Sequence, residues 1–322
     1  MGTKGHEHEI FHLSELDRRK FLKVAGFASS LSLLGNLVSS QEAFGATSVK
    51  LAGFSAFSSS VKVFRTGKYY LVESSGIPDH QMMVGIKSWQ QQVPTIQPYS
   101  GANAWSIPVT PVISSAPMSA KTHFLRGAIA IAANGVPIFN ALNNRGDDAL
   151  LAGELDDWGG HCGRADDYHY HVAPLHLQSI VGVKAPIAYA LDGFPIYGET
   201  EIDGKKVIGL DEFNGHFDSK KKYHYHGTKT YPYINGGFKG VVQEIEGQVS
   251  PQSLTKAFRP AGEPLRGAVI TGLERTGANS FDLKYTLNSS DFHIKYSATL
   301  TDVSMQFVDA NGATITEVYK RK

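Results

Sequence analysis

The sequence contains a single cysteine among its 322 residues, Cys162, so no disulfide can form within one chain. Charge of one sign is also lacking: 31 Lys and Arg against 30 Asp and Glu give a formal net charge of +1. Nucleic-acid binding needs a basic surface, so nucleic acid is not expected as a partner. With 42% hydrophobic and 19% charged residues, the composition is that of a folded globular protein. If the protein works outside the cytoplasm, its fold must be stabilised by packing or by a metal, because no disulfide is available.

Signatures of several enzyme classes are absent as well. The sequence has no GxSxG elbow, no GxxxxGK[ST] phosphate loop and no CxxCH, and after residue 12 it has no HExxH. Its HxH pairs lack the downstream glutamate of a cupin. Any catalytic role has to come from other residues.

The N-terminal region resembles an export signal. Residues 17–23, Asp-Arg-Arg-Lys-Phe-Leu-Lys, are similar to the twin-arginine signal, with Asp where Ser or Thr is usual. An apolar stretch over 24–38, too short to span a bilayer, follows, and Ala43-Phe44-Gly45 has the small residues of a cleavage site. The three histidines of this segment are discarded as ligands. The alternative is an amphipathic N-terminal helix.

Residues 1–46 are therefore expected to be a signal peptide, with the twin-arginine export machinery as a partner. The mature protein is expected to be periplasmic or secreted and to meet an extracellular substrate whose identity the sequence leaves open. No later segment is long and apolar enough to predict a stable membrane span in the mature form.

The rest of the chain is predicted to be mainly β. A hairpin is expected where 61–64 and 69–73 flank Arg-Thr-Gly-Lys, and another around Asn134-Gly135. One short helix is predicted over 147–158. We expect an antiparallel β-rich domain with little helix over 47–245, and a small antiparallel β unit over 246–322. That unit is either a separate module or extra strands of the main body.

The tetrapeptide Tyr-His-Tyr-His occurs twice, at 168–171 and 223–226, and seven of the 13 histidines lie between His161 and His226. In a strand, each tetrapeptide presents imidazoles on one face and phenols on the other. Imidazoles two residues apart have Cβ atoms roughly 6.5–7 Å apart, and those on paired strands roughly 4.5–5.5 Å. With metal–nitrogen bonds of about 2.0–2.1 Å, rings from both tetrapeptides can converge on one ion.

This reasoning predicts one shared metal centre and about one transition-metal ion per chain. Imidazole ligands suit Zn, Cu, Ni or Fe and disfavour Ca and Mg, so copper or zinc is expected. The tyrosines are expected to pack beneath the site and to donate hydrogen bonds to the ligands. The predicted ligands are His161, His169, His171, His224 and His226.

Other residues stay open as members of the site. Asp192 is a candidate catalytic residue, metal ligand or hydrogen-bond partner of a ligand, and a turn role is the simpler interpretation. Four aspartates lie near the first tetrapeptide: Asp156, Asp157, Asp166 and Asp167. One of them is a candidate for orienting an imidazole or acting as a base, although solvated loop charges are the simpler interpretation. The remaining open candidates are His80, His176, His216 and Cys162.

Several motifs in a fixed order resemble the YHYH-domain family. They are Gly159–His161, the two tetrapeptides and Leu191–Gly198, with further matches upstream at Gly76–His80 and Asn134–Ile138. The resemblance covers roughly residues 48–242. It implies that the histidines form the functional centre, and it implies no settled activity.

Three functions are compatible with these residues. The first is an exported metalloenzyme, hydrolytic or copper-type oxidative. The second is a metal-handling protein without turnover. The third is a carbohydrate- or surface-binding module in which tyrosines form an aromatic platform and the histidines are structural.

Overall fold

A computed structural model describes residues 46–87 and 89–321. Residues 1–45 of the expected signal peptide, with its arginine pair, lie outside the described residues. Thr47–Lys322 forms one compact unit by its internal contacts. Among the described residues, no helix has the length and apolar character needed to cross a membrane.

Strands dominate the described part of the chain, and 21 of them are defined. In chain order they are β1 (Thr47–Ser48), β2 (Lys62–Thr66), β3 (Tyr69–Glu73), β4 (Trp105–Pro108), β5 (Ile113–Ser119), β6 (Ala128–Ala132), β7 (Pro137–Phe139), β8 (Gly160–Cys162), β9 (Tyr168–Tyr170), β10 (Ala188–Ala190), β11 (Pro195–Tyr197), β12 (Gly215–Phe217), β13 (Tyr223–His226), β14 (Gly237–Gly240), β15 (Gln243–Ile245), β16 (Gln248–Ser250), β17 (Val269–Gly277), β18 (Ser280–Leu287), β19 (Ser290–Ala298), β20 (Asp302–Val308) and β21 (Thr314–Lys320).

In the described residues, helix is limited to short pieces. One α-helical turn spans Gln178–Val181, and 3₁₀ turns span Phe54–Phe57, Gly101–Asn103 and Leu175–Leu177. The predicted helix over 147–158 is wrong. The Asp148 carboxylate accepts the N–H groups of Leu150 and Leu151, but only one turn follows. Gly153 then adopts φ 69°, a left-handed conformation that turns the chain away.

The largest sheet has eight strands in the order β12-β13-β11-β10-β6-β7-β9-β8. Its centre is the antiparallel pair β6 and β10, in which Ile131 lies opposite Tyr189. On each side the same series follows: a hairpin partner (β7 or β11), a strand parallel to it (β9 or β13), and an antiparallel edge strand (β8 or β12). The sheet therefore has a pseudo-two-fold axis between Ile131 and Tyr189.

The symmetry is also present in the sequence. Residues 134–140, Asn-Gly-Val-Pro-Ile-Phe-Asn, correspond to 192–198, Asp-Gly-Phe-Pro-Ile-Tyr-Gly, and residues 156–171 correspond to 211–226. Below, the first half means residues 128–171 and the second half residues 188–226. The two tetrapeptides are the same strand of a supersecondary unit that the chain uses twice.

The mainly β, largely antiparallel fold with little helix is confirmed. Hairpins β2–β3 and β6–β7 form where the turn residues predicted them. The C-terminal strands β17 to β21 form a five-stranded antiparallel sheet in chain order, with Asn311-Gly312 in the turn before β21.

The C-terminal sheet packs against the rest of the unit. Its Ile294 and Met305 belong to the same buried cluster as Ile131 of the large sheet. The Tyr296 hydroxyl donates to the carbonyl of Pro94 at 2.8 Å. The predicted boundary between 245 and 246 falls within the β15–β16 hairpin and stays a prediction.

Candidate metal centres

Each tetrapeptide strand forms a histidine cluster with the edge strand beside it. In the first half, His161 of β8 lies opposite His169 of β9. In the second half, His216 of β12 lies opposite His224 of β13. The first centre consists of His161, His169 and His171, and the second of Glu201, His216, His224 and His226. Within each centre the nitrogen or oxygen atoms that could bind a metal lie within 4.8 Å of one another.

The expectation of one centre shared by both tetrapeptides is wrong. Strands β9 and β13 are separated in the sheet by β7, β6, β10 and β11. Five spacings of about 4.8 Å put the two strands roughly 24 Å apart. Two ions, one per half, are what this topology can accommodate.

In the first centre, main-chain carbonyls fix the orientation of all three rings. Nδ1 of His161 lies 3.0 Å from the Glu154 carbonyl, and Nδ1 of His169 lies 3.0 Å from that of Asp167. Nδ1 of His171 lies 2.6 Å from the carbonyl of Asn140. A carbonyl oxygen only accepts, so each Nδ1 carries the proton and each neutral ring keeps a lone pair on Nε2.

The Nε2 atoms of His161 and His171 are 3.1 Å apart. With both protons on Nδ1, no hydrogen bond can join these two atoms, and their lone pairs face one another. The pKa of His161 is lowered to about 3, mainly by burial and secondly by the neighbouring His169. A proton bridging the two rings is therefore not available at neutral pH. A cation between the two nitrogens resolves this arrangement.

The second centre repeats this design and adds a carboxylate. Nδ1 of His226 donates to the carbonyl of Gly198 at 2.8 Å, and the His224 ring bonds the carbonyl of Lys222. Nε2 of His226 is buried and has no hydrogen-bond partner. The Glu201 carboxylate lies 3.7 Å from that atom, 3.1 Å from Nε2 of His216 and 3.6 Å from Nε2 of His224.

These separations match the edges of a coordination tetrahedron. Four ligands at bond lengths of about 2.0–2.1 Å lie roughly 3.3 Å from each other. In the second centre the Nε2 atoms of His216 and His224 are 3.1 Å apart. Together with the distances from Glu201, this set fits one tetrahedral ion with little movement of the side chains.

Burial keeps further rings of both centres in the neutral form that binds metals. Desolvation is the main reason that the pKa of His171 lies well below its ordinary value, and the neighbouring His161 and His169 lower it further. Desolvation lowers the pKa of His226 to about 4, and desolvation followed by His216 lowers that of His224. Neutral imidazoles in a dry site are the state that a metal ligand requires.

The phenols of the tetrapeptides lie on the opposite face and hold the sheet. The Tyr168 hydroxyl donates to Asp156 at 2.8 Å, and the Tyr223 hydroxyl donates to Asp211 at 2.9 Å. The expectation that these hydroxyls bond the ligands is therefore wrong, because alternation points them away from the imidazoles. Main-chain carbonyls orient the rings instead.

Glycine is required where the phenols pass the edge strands. A Cβ atom on Gly160 would lie 2.5 Å from the Tyr168 hydroxyl oxygen and 2.7 Å from the His169 carbonyl oxygen. On Gly215 it would lie 2.2 Å from the Tyr223 hydroxyl oxygen. The Gly-His dipeptide of each half thus brings an imidazole to one face and leaves room for a phenol on the other.

Asp192 lies among the phenols. It accepts the Tyr225 hydroxyl at 2.5 Å and the N–H groups of Phe194 and Gly240 at 3.1 and 3.0 Å. Burial raises its pKa to about 6, against the effect of these three donors. Its counterpart in the first half is Asn134, which donates to the Tyr170 hydroxyl. The contacts of Asp192 are those of a residue that supports the sheet.

Of the other open candidates, His216 belongs to the second centre, and His80, His176 and Cys162 belong to neither. His80 bonds the Tyr170 hydroxyl through Nε2 at 2.6 Å, and its ring packs edge-on against His176. Cys162 is buried and points away from His161 by alternation along β8. Of the four loop aspartates, Asp167 orients an imidazole, through its main-chain carbonyl to His169.

Sequence reasoning missed Glu201 and ranked His216 too low. A signal for His216 is present, since His216 follows His161 by the same 55 positions that separate the tetrapeptides. Glu201 has no such signal, because its counterpart 58 positions earlier is Asn143.

Fold and site together define a β-rich protein with two histidine clusters, one in each half of a pseudo-symmetric sheet. Residues 104–205 match the family model described as YHYH protein. The match supports the assignment of these residues, which include the first tetrapeptide, to the YHYH family. A search of curated proteins found no match, and a search of solved structures found none.

Proposed function

We propose that this chain is an exported metal-binding protein that holds one transition-metal ion in each half of its large sheet. The observation that carries the proposal is the pair of Nε2 atoms of His161 and His171, 3.1 Å apart with both ring protons on Nδ1. The buried, unpartnered Nε2 of His226 supports the same function for the second half.

The ligand set favours zinc or copper. Imidazole nitrogens suit Zn and Cu, whereas Ca and Mg require oxygen ligands. Three imidazoles and one carboxylate at tetrahedral spacing are typical of zinc. Such ions, when bound, supply Lewis acidity or, for copper, redox chemistry.

A sugar-binding platform is not favoured by the structure. Rings that stack on sugars must be exposed, whereas only one of the six tyrosines of the platform, Tyr231, is exposed. The other five are buried: Tyr168, Tyr170, Tyr223, Tyr225 and Tyr233. Their hydroxyls are committed to partners inside the protein.

Metal content tests the proposal directly. Mature protein dialysed after loading with zinc should retain two ions per chain by elemental analysis. His169→Ala and His224→Ala should each retain one ion, and the double variant none. His293→Ala is the matched control and should retain two, because His293 bonds Asp282 in the C-terminal sheet. A folded wild-type protein that retains no metal would contradict the proposal.

Export is proposed from the sequence alone. The twin-arginine signal of residues 17–23 is compatible with a protein that folds and takes up its metal before crossing the membrane. An extracellular substrate stays part of this proposal, and its chemistry depends on whether either ion can accept a further ligand.

A further inference from the structure

The loops after β7 and β11 have the same backbone. In the first half the N–H of Asn143 donates to the Asp147 carbonyl at 2.8 Å, and that of Gly146 donates to Asn143 at 2.9 Å. In the second half Glu201 donates to Lys205 at 2.9 Å, and Gly204 donates to Glu201 at 2.8 Å. Isolated bridges Leu142–Asp148 and Thr200–Lys206 close both loops at matching positions. Asn143 and Glu201 therefore occupy the same position in the two halves.

The side chains at this position do different things. The Glu201 carboxylate reaches all three imidazoles of the second centre. The Asn143 amide oxygen instead accepts the N–H groups of Arg145 and Asp147 at 2.9 and 3.0 Å. Its amide nitrogen donates to the Glu154 carboxylate at 3.2 Å. Both ends of the Asn143 side chain are thus committed within the loop.

We infer that the two centres are functionally distinct: the second is a closed four-ligand site, and the first binds its ion through three imidazoles and takes an exchangeable fourth ligand. The inference rests on the proposed metal binding. Three protein ligands with an open position are typical of sites that exchange ligands, and four are typical of structural zinc.

Charge and access specify the class of the fourth ligand. A divalent ion held by three neutral imidazoles keeps two positive charges, whereas Glu201 offsets one of them in the second centre. His161 is partly exposed, while His169 and His171 are buried, so the first centre opens to solvent on the His161 side. The stacked ring of Phe139, 3.9 Å from that of His169 between centroids, forms an apolar wall. A water, hydroxide or small anion fits these constraints.

Cobalt substitution with azide as the probe tests this inference. Wild-type protein carrying two Co²⁺ ions should show an azide-induced change in about half of its visible absorption. His224→Ala, which keeps only the first centre, should respond fully, and His169→Ala, which keeps only the second, should not respond. Circular dichroism establishes that each variant is folded, and the wild-type measurement stands even where a single-centre variant fails to fold.

Replacing Glu201 provides the matched perturbation. Glu201→Asn installs the residue of the first half and should extend the azide response from about half of the wild-type absorption to all of it. Glu199→Asn, which removes a neighbouring carboxylate paired with Lys229, should leave the response at half. Equal azide responses of the two centres in wild type, or no gain in Glu201→Asn, would overturn the inference while metal binding stands. Failure of wild type to bind Co²⁺ at all would overturn the proposed function as well.

Discussion

Asp192→Asn should change the pH dependence of stability in a direction set by the burial of this carboxyl group. The pKa of Asp192 is raised from 3.8 to about 6, with desolvation as the largest cause. Between about pH 4 and pH 6 the folded protein therefore binds more protons at this site than the unfolded chain does. The free energy of unfolding contributed by Asp192 is highest below pH 4 and is lost as the pH rises through 6.

The size of the effect follows from the shift. Each pKa unit corresponds to about 1.4 kcal/mol, so ionising Asp192 in the folded state costs about 3 kcal/mol. Asparagine cannot ionise. It also leaves the N–H of Gly240 without the carboxylate oxygen that it now contacts at 3.0 Å, which costs about 1–3 kcal/mol at every pH.

Urea unfolding followed by tryptophan fluorescence, with chelator present, measures both proteins between pH 4 and pH 8. Subtracting the variant's free energy of unfolding from that of wild type removes the titration of all other groups. The difference should decline by about 3 kcal/mol between pH 4 and pH 7 and then level off. Asp203→Asn, at a fully exposed carboxylate, is the control and should show no such decline. A flat or rising difference for Asp192→Asn would refute the reasoning.

Three further predictions concern the core, the edge strands and the N-terminus. Arg259→Met should lower the free energy of unfolding by about 3–5 kcal/mol, because it leaves the buried Asp166 carboxylate without the guanidinium that now lies 3.0 Å away. Lys284→Met, at an exposed ion pair, is the control and should lower it by at most about 1 kcal/mol. Denaturant unfolding of both variants measures the difference. Gly160→Ala should destabilise the protein by about 1–3 kcal/mol and remove one of the two bound ions, because the new Cβ atom would lie 2.5 Å from the Tyr168 hydroxyl oxygen. Gly272→Ala is the control and should keep both ions, because the nearest atom to its Cβ would be 3.9 Å away. Lys-Lys in place of Arg18-Arg19 should leave precursor in the cytoplasm on fractionation, and unchanged export would show that residues 17–23 are not a twin-arginine signal.

Much of the local structure was predictable because it depends on near neighbours. The alternation of side chains along a strand predicted that imidazoles and phenols lie on opposite faces, and Asn134-Gly135 predicted the turn between β6 and β7. The predicted helix over 147–158 does not form, because Asp148 begins a single turn and the left-handed Gly153 ends it. Nothing in those residues' intrinsic preferences shows that the chain must turn back to close the loop beside the first centre.

The sequence by itself determined which residues are ligand candidates, because a repeated Tyr-His-Tyr-His strand presents paired imidazoles wherever it lies. Tertiary structure alone decided how those imidazoles are grouped. Strand order is set by long-range pairing, and it places four strands between β9 and β13. It also brings Glu201 from a loop to the second centre and turns Asn143 away from the first. Side-chain alternation is a property of a few consecutive residues, whereas the neighbours of a strand depend on how the whole chain packs.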